Sequence, residues 1–167
     1  MNRPQPNEYP AWALTYIEKV NSDIIELLER QADEFPDFLS TLTAKADYAY
    51  APDKWTLKEM AGHIIDTERI LVYRLTCFAR LEQTALPGFE EDDYVANAHF
   101  SDRELSSFAE EFRLLRKANL YLFKSLNDHD LKRSGTASER QISVRALLYV
   151  IAGHLMHHTQ IINERYL

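Results

Sequence analysis

Along this chain, stretches in which apolar residues recur every three or four positions are separated by connectors rich in proline, glycine and charge. That period belongs to helices that bury one side. A short helix is expected from Ala11 to about Val20, with Trp12, Tyr16 and Ile17 on its apolar side. Ile24, Leu27, Leu28 and Ala32 mark a longer one, for which Asn21 or Ser22 is the candidate cap. Pro36 should kink or interrupt it, although Phe35, Phe38, Leu39 and Leu42 continue the pattern. After a connector over 47–54, Thr56-Leu57-Lys58-Glu59 reads as a capping box. The helix it opens should reach about Ala79, and Met60, His63, Ile64, Thr67, Leu71, Arg74 and Phe78 form its inward stripe.

Residues 81–100 read as a long loop holding Pro87, Gly88 and the acidic run Glu90-Glu91-Asp92-Asp93. Long loops often cover sites, and the run either lines a site mouth or is a solvated face. Ser101-Asp102-Arg103-Glu104 resembles a second capping box, opening a helix that repeats through Leu105, Phe108, Phe112, Leu115, Asn119 and Leu122 to about Leu126. Residues 127–141 are polar and read as a crossover loop. Ser143 then caps a last helix, where Leu147, Val150, Ile151, His154, His158, Ile161 and Ile162 share one broad side. The pattern predicts an all-α protein: a four-helix bundle with long crossover connections, one domain over residues 1–167. Its proline-bearing first ten residues should form an extended arm.

Composition narrows the class. Of the 167 residues, 46% are hydrophobic and only four are glycine, which suits a core-forming helical domain. A single cysteine, Cys77, excludes an internal disulfide and fits a reducing cytoplasm; its default reading is a small buried hydrophobe, since no His or Lys sits one helical turn away to activate it. A formal charge of −7 without a basic run disfavours nucleic acid, and no apolar stretch reaches membrane-spanning length. The start, Met1 to Asn7, does not read as a secretory signal.

The candidate chemistry lies in Gly153-His154-Leu155-Met156-His157-His158. His154 and His158 are one turn apart, about 6 Å of rise and about 40° of rotation, so their imidazoles leave the same face. A cation needs more than two such ligands, and His63 is the best third donor because it falls on the inward stripe. A lone histidine on such a stripe is ordinarily a hydrogen-bonded core residue; three that converge call for a cation or polar partners. His157 is rotated by about 100° and belongs to the rim. His99 and His129 fall in polar connectors. The zinc-protease pattern is excluded, because the position after the first histidine holds Leu155 where a glutamate general base is needed. Asp66, one turn after His63, either takes a proton at the metal or orients an imidazole, or else pairs with Arg69 or Arg74.

Several of these segments together resemble the DinB superfamily, and its YfiT-like metal-dependent hydrolase branch in particular. They are Tyr50-Ala51-Pro52-Asp53-Lys54-Trp55-Thr56, Gly62-His63-Ile64-Ile65-Asp66-Thr67-Glu68-Arg69, Pro87-Gly88-Phe89 with the acids after it, and Gly153 through His158. The resemblance runs in order over roughly 47–167. It implies a four-helix bundle of unusual connectivity, often dimeric, with zinc or nickel on His63, His154 and His158. It also implies enzymes that join low-molecular-weight thiols to small electrophiles. Thiol transfer is the favoured expectation, since a thiol ionises near pH 8.5 and needs less help than water. The alternatives are a metal-dependent hydrolase using Asp66 or a loop acid, and a non-catalytic homodimer module held by its metal. Each takes a small molecule or none as its partner.

Overall fold

The computed structural model describes residues 1–167. Its α-helices are α1 (Leu14–Ile17), α2 (Ile24–Ser40), α3 (Leu57–Ala79), α4 (Glu91–Asn97), α5 (Leu105–Ser125), α6 (Asp128–Lys132) and α7 (Val144–Arg165), with a hairpin of β1 (Ser134–Ala137) and β2 (Arg140–Ser143). The long helices α2, α3, α5 and α7 make a four-helix bundle in which α2 packs on α5 and α7, and α3 packs on α5 and α7. Helices consecutive in sequence, α2 with α3 and α5 with α7, therefore lie on diagonals. Crossing a diagonal takes more chain than turning to a neighbour, which accounts for the α2–α3 and α5–α7 connectors; the longest connector joins the neighbours α3 and α5 and carries α4.

The helix starts follow local chemistry. Thr56 and Glu59 form the expected capping box, with Thr56 Oγ1 accepting from Glu59 N at 3.2 Å and Glu59 Oε2 from Thr56 N at 2.7 Å. Ser143 Oγ accepts from Ala146 N at 3.0 Å at the start of α7. Other starts differ from expectation. Asp23 caps α2 in place of Asn21 or Ser22, because its carboxylate takes both Ile25 N and Glu26 N. Pro36 does not interrupt α2, which runs through it to Ser40. No capping box forms at Ser101–Glu104: Phe100–Asp102 is a 3-10 turn, and Glu104 starts α5 without a side-chain cap.

Both presumed loops contain structure. The acidic run opens α4, where Glu91, Asp92 and Asp93 sit in the first turn and suit the positive end of the helix dipole. Residues 127–141 form α6 and the β1–β2 hairpin, whose turn places Ser138 and Glu139 at φ 50° and 61°. The expected helix from Ala11 to Val20 is reduced to a 3-10 turn, Ala11–Ala13, followed by the single turn of α1. The N-terminal arm is tied down by Arg3 Nη2 donating to Ile17 O at 2.8 Å and by an Arg145–Glu8 ion pair at 2.9 Å.

Between two apolar clusters, one towards each end of the bundle, lies a buried polar layer. Arg116 is fully buried and donates to both carboxylate oxygens of Glu68 at 2.8 Å and to Gln31 Oε1 at 2.7 Å. Asn119 donates to Glu68, and Gln31 donates to the Ala152 carbonyl at 3.0 Å. One network thus links all four long helices. The stripe read on α5 is correspondingly shifted: Arg116, Leu120 and Phe123 face inward beyond Phe112, while Leu115, Asn119 and Leu122 are half-buried. No helix is long and apolar enough to cross a membrane.

Candidate metal centre

α3 and α7 pack side by side, and the second turn of α3 faces the middle of α7. Glycines precede the first histidine on each helix. At Gly62 an added Cβ would lie 2.5 Å from the Phe100 ring, and at Gly153 one would lie 2.1 Å from the Tyr16 carbonyl oxygen. The missing side chains let the 3-10 turn and α1 press against the helices that carry the histidines.

His63, His154 and His158 are buried and point their Nε2 atoms at one another. The separations are 3.2 Å for 63–154, 3.3 Å for 63–158 and 3.0 Å for 154–158. A neutral imidazole Nε2 offers one proton or one lone pair, so three such nitrogens in a triangle cannot all be hydrogen-bonded in pairs. A cation satisfies them together. A tetrahedron with metal–nitrogen bonds of ~2.05 Å has edges of about 3.3 Å, close to the observed triangle. The three form a potential ligand cluster with no carboxylate or thiolate in it. The donor set and its spacing fit a divalent ion that prefers imidazole, such as zinc or nickel.

Electrostatics agree. Burial pushes His63 down to about 4 and His158 to about 3, the latter helped by His63 and His157, and it holds His154 well below the usual histidine range. The cluster is therefore neutral near pH 7, the state in which imidazole ligates. Thr67 Oγ1 lies 3.5 Å from His63 Nδ1, one turn along α3. His158 Nδ1 is buried without a protein partner. The Trp55 ring covers His63 at 4.7 Å between centroids, and Tyr16 packs edge-on against both His154 and His157.

All three histidines line one cavity of about 430 Å³. Trp12, Tyr16, Trp55 and Phe89 supply its aromatic walls; His157, Arg74 and Glu91 add polar groups. A second cavity of about 270 Å³ also touches Trp55 and His158 and includes Asp92, whose charge acts on His63. The predicted trio is thus brought together, with His157 at its rim. Asp66 does not join it: its Oδ1 accepts from Arg69 Nη1 at 3.2 Å, the pairing that the sequence left as the alternative. His99 and His129 are exposed and lie outside the cluster, and Cys77 is half-buried against the core rather than fully enclosed. The acidic run, read as either a site mouth or a solvated face, puts Glu91 on the cavity wall; Arg74 and Tyr16, read only as inward or apolar helix positions, also line it. A cluster of acids suited to a first helical turn was the available signal for Glu91.

A family model described as the DinB superfamily matches residues 27–162. Among solved structures, YfiT from Bacillus subtilis superposes with a TM-score of 0.77 at 18% identity, covering 98% of this chain and 92% of its own. It is described as a probable metal-dependent hydrolase with an unusual four-helix bundle topology. No curated protein sequence matches significantly.

Proposed function

The chain belongs to the DinB superfamily, and from that premise we propose that it is a metal-dependent enzyme whose His63, His154 and His158 hold a zinc or nickel ion against a small-molecule cavity. One observation carries the reading: all three imidazoles line the same 430 Å³ space. A purely structural ion would be closed off by a fourth protein ligand, whereas three ligands facing a cavity leave room for a reactant. Bound there, a divalent ion supplies Lewis acidity and lowers the pKa of a coordinated water or thiol.

The side chains around it divide the remaining work. Trp55 and Tyr16 shield the imidazoles from bulk water and fix their ring planes. Thr67 holds the Nδ1 side of His63, orienting that ring for ligation through Nε2. Glu91, on the cavity wall, takes the proton released when the nucleophile forms. Asp66 is left out of this scheme because Arg69 engages it. The absence of a base next to the first histidine was the argument for thiol transfer, and Glu91 supplies one from another element. We therefore place hydrolysis of a small ester or amide first, in line with the description given to YfiT. Thiol transfer to an electrophile is the second reading, and the cavity is large enough to hold a thiol and its acceptor side by side.

The deciding experiment assays metal-loaded protein against ester and amide substrates without thiol, and against electrophiles with each common cellular thiol. Hydrolysis that drops about a hundred-fold in Glu91→Gln and little in Asp66→Asn supports the first reading. Turnover that requires a thiol and ignores Glu91→Gln establishes the second. Silence in both arms from metal-replete protein leaves a structural module.

A further inference from the structure

Three cationic side chains are buried in this protein. Lys58 pairs with Asp47 at 2.9 Å and Arg116 with Glu68 at 2.8 Å. The third, Arg74, is only 6% exposed and has no carboxylate partner. Its Nη2 donates to the Pro87 carbonyl at 2.8 Å and to Ser138 Oγ at 3.1 Å, both neutral, while Nη1 and Nε have no protein acceptor. A guanidinium this enclosed and without a counter-ion is costly, and its Nη1 and Nε hydrogens remain free for an anionic acceptor. Arg74 lines the same cavity as the three histidines.

Position gives this charge a role. Arg74 follows His63 by eleven residues on α3, about 16 Å of rise with only about 20° of rotation, so the two bracket the cavity lengthwise. Glu91 also lines the cavity yet makes no ion pair with Arg74. One aromatic-walled space thus holds the histidine cluster at one end and, about three turns along α3, a cation with no carboxylate partner.

We propose that Arg74 is the specificity residue for an anionic small molecule, binding the carboxylate of an apolar or aromatic acid whose reactive centre lies at the histidines. The inference rests on reading the cavity as a substrate site. Attraction to Arg74 sets the orientation, carboxylate away from the histidine cluster. The Pro87 carbonyl and Ser138 Oγ take both Nη2 hydrogens, which leaves Nη1 and Nε to give single charge-assisted hydrogen bonds to the ligand carboxylate.

The test measures calorimetric affinity of the full-length protein for benzoate, phenylacetate, 3-phenylpropionate and 4-phenylbutyrate, each beside its neutral amide. It is run after metal removal by chelator and again after zinc loading. At least one acid should bind metal-free wild type about ten-fold or more tightly than its amide, and Arg74→Met should abolish that preference. Arg74→Lys, which keeps the charge on a single terminal ammonium, should retain part of it. Circular dichroism checks that each variant is folded. Equal affinity for acid and amide, no binding by any acid up to about 10 mM, or a preference that survives Arg74→Met overturns the proposal. A preference seen only with zinc and independent of Arg74 assigns the carboxylate to the metal. Failure to take up zinc counts against the metal site alone, because the metal-free arm still decides the role of Arg74.

Discussion

Gly153 and Tyr16 meet backbone to backbone, with the Tyr16 carbonyl oxygen 2.1 Å from where a Cβ at 153 would lie. Replacing a mid-helix glycine by alanine ordinarily stabilises a helix by up to about 1 kcal/mol. Here the clash is with backbone, which cannot rotate away, and overpacking of this kind costs about 1–3 kcal/mol. Gly153→Ala is therefore expected to lower stability in urea melts and to speed proteolysis after Lys19, as α1 is displaced. Unchanged or increased stability would show that α1 yields freely.

The metal should depend on three histidines and not on the fourth nearby. Elemental analysis of His63→Ala, His154→Ala and His158→Ala should show large losses, and His157→Ala should retain the ion. Full occupancy in the His63 variant, or equal loss in the His157 variant, defeats the assignment.

Acid should weaken the metal-free fold through the same residues. Histidines in the unfolded chain titrate near 6.5, whereas burial holds His63 to about 4 and His158 to about 3. Between those values the unfolded state binds protons that the folded state refuses, so stability falls as pH drops below about 6.5 and these groups give no slope above it. Each contributes at most about 1.4 kcal/mol per pH unit. Urea melts in chelator should show a shallower decline over this range for His158→Leu than for wild type. Identical declines would mean that His158 does not titrate on unfolding. A bound ion should likewise be released below about pH 6, where protons compete for the imidazoles.

The polar layer makes a separate prediction. Arg116→Met leaves the Glu68 carboxylate buried at 3% exposure with Asn119 as its remaining partner. Breaking a buried pair from one side costs about 3–5 kcal/mol. A denaturant midpoint close to that of wild type would show that water or rearrangement readily compensates.

A homodimer is the last expected outcome. Trp12 and Leu14 are 45% and 40% exposed beside the cavity, an apolar surface that a lone bundle leaves uncovered. Sedimentation at micromolar concentration should show a species near twice 19.5 kDa. A purely monomeric boundary removes the dimer.

The bundle and the histidine trio were legible because both rest on helical period. Met60, His63, Ile64, Thr67, Leu71, Arg74 and Phe78 are all buried, as their spacing demands. What escaped notice lacked a strong local signal. The Ser138-Glu139 turn places two ordinary residues at positive φ, where Asn-Gly would have announced a hairpin. Arg116 lies on the inward face of α5, but its charge argued for the surface until Glu68 and Gln31, distant in sequence, supplied its partners. Asp66 illustrates the limit of spacing alone: one turn from a ligand, its carboxylate is held by Arg69 on the same helix.

His63 and His154 are 91 residues apart in the chain. At ribosomal rates of about 5–20 residues per second, about 5–20 s separate the emergence of the first histidine from that of the second. Throughout that interval α3 carries a single ligand, and the side of it that α7 will cover stays open. The ion can be captured only after α7 has been made and has docked across the diagonal from α5. Loading through this trio would therefore be a late event in the life of the polypeptide, open only to a chain whose α3 and α7 have already met.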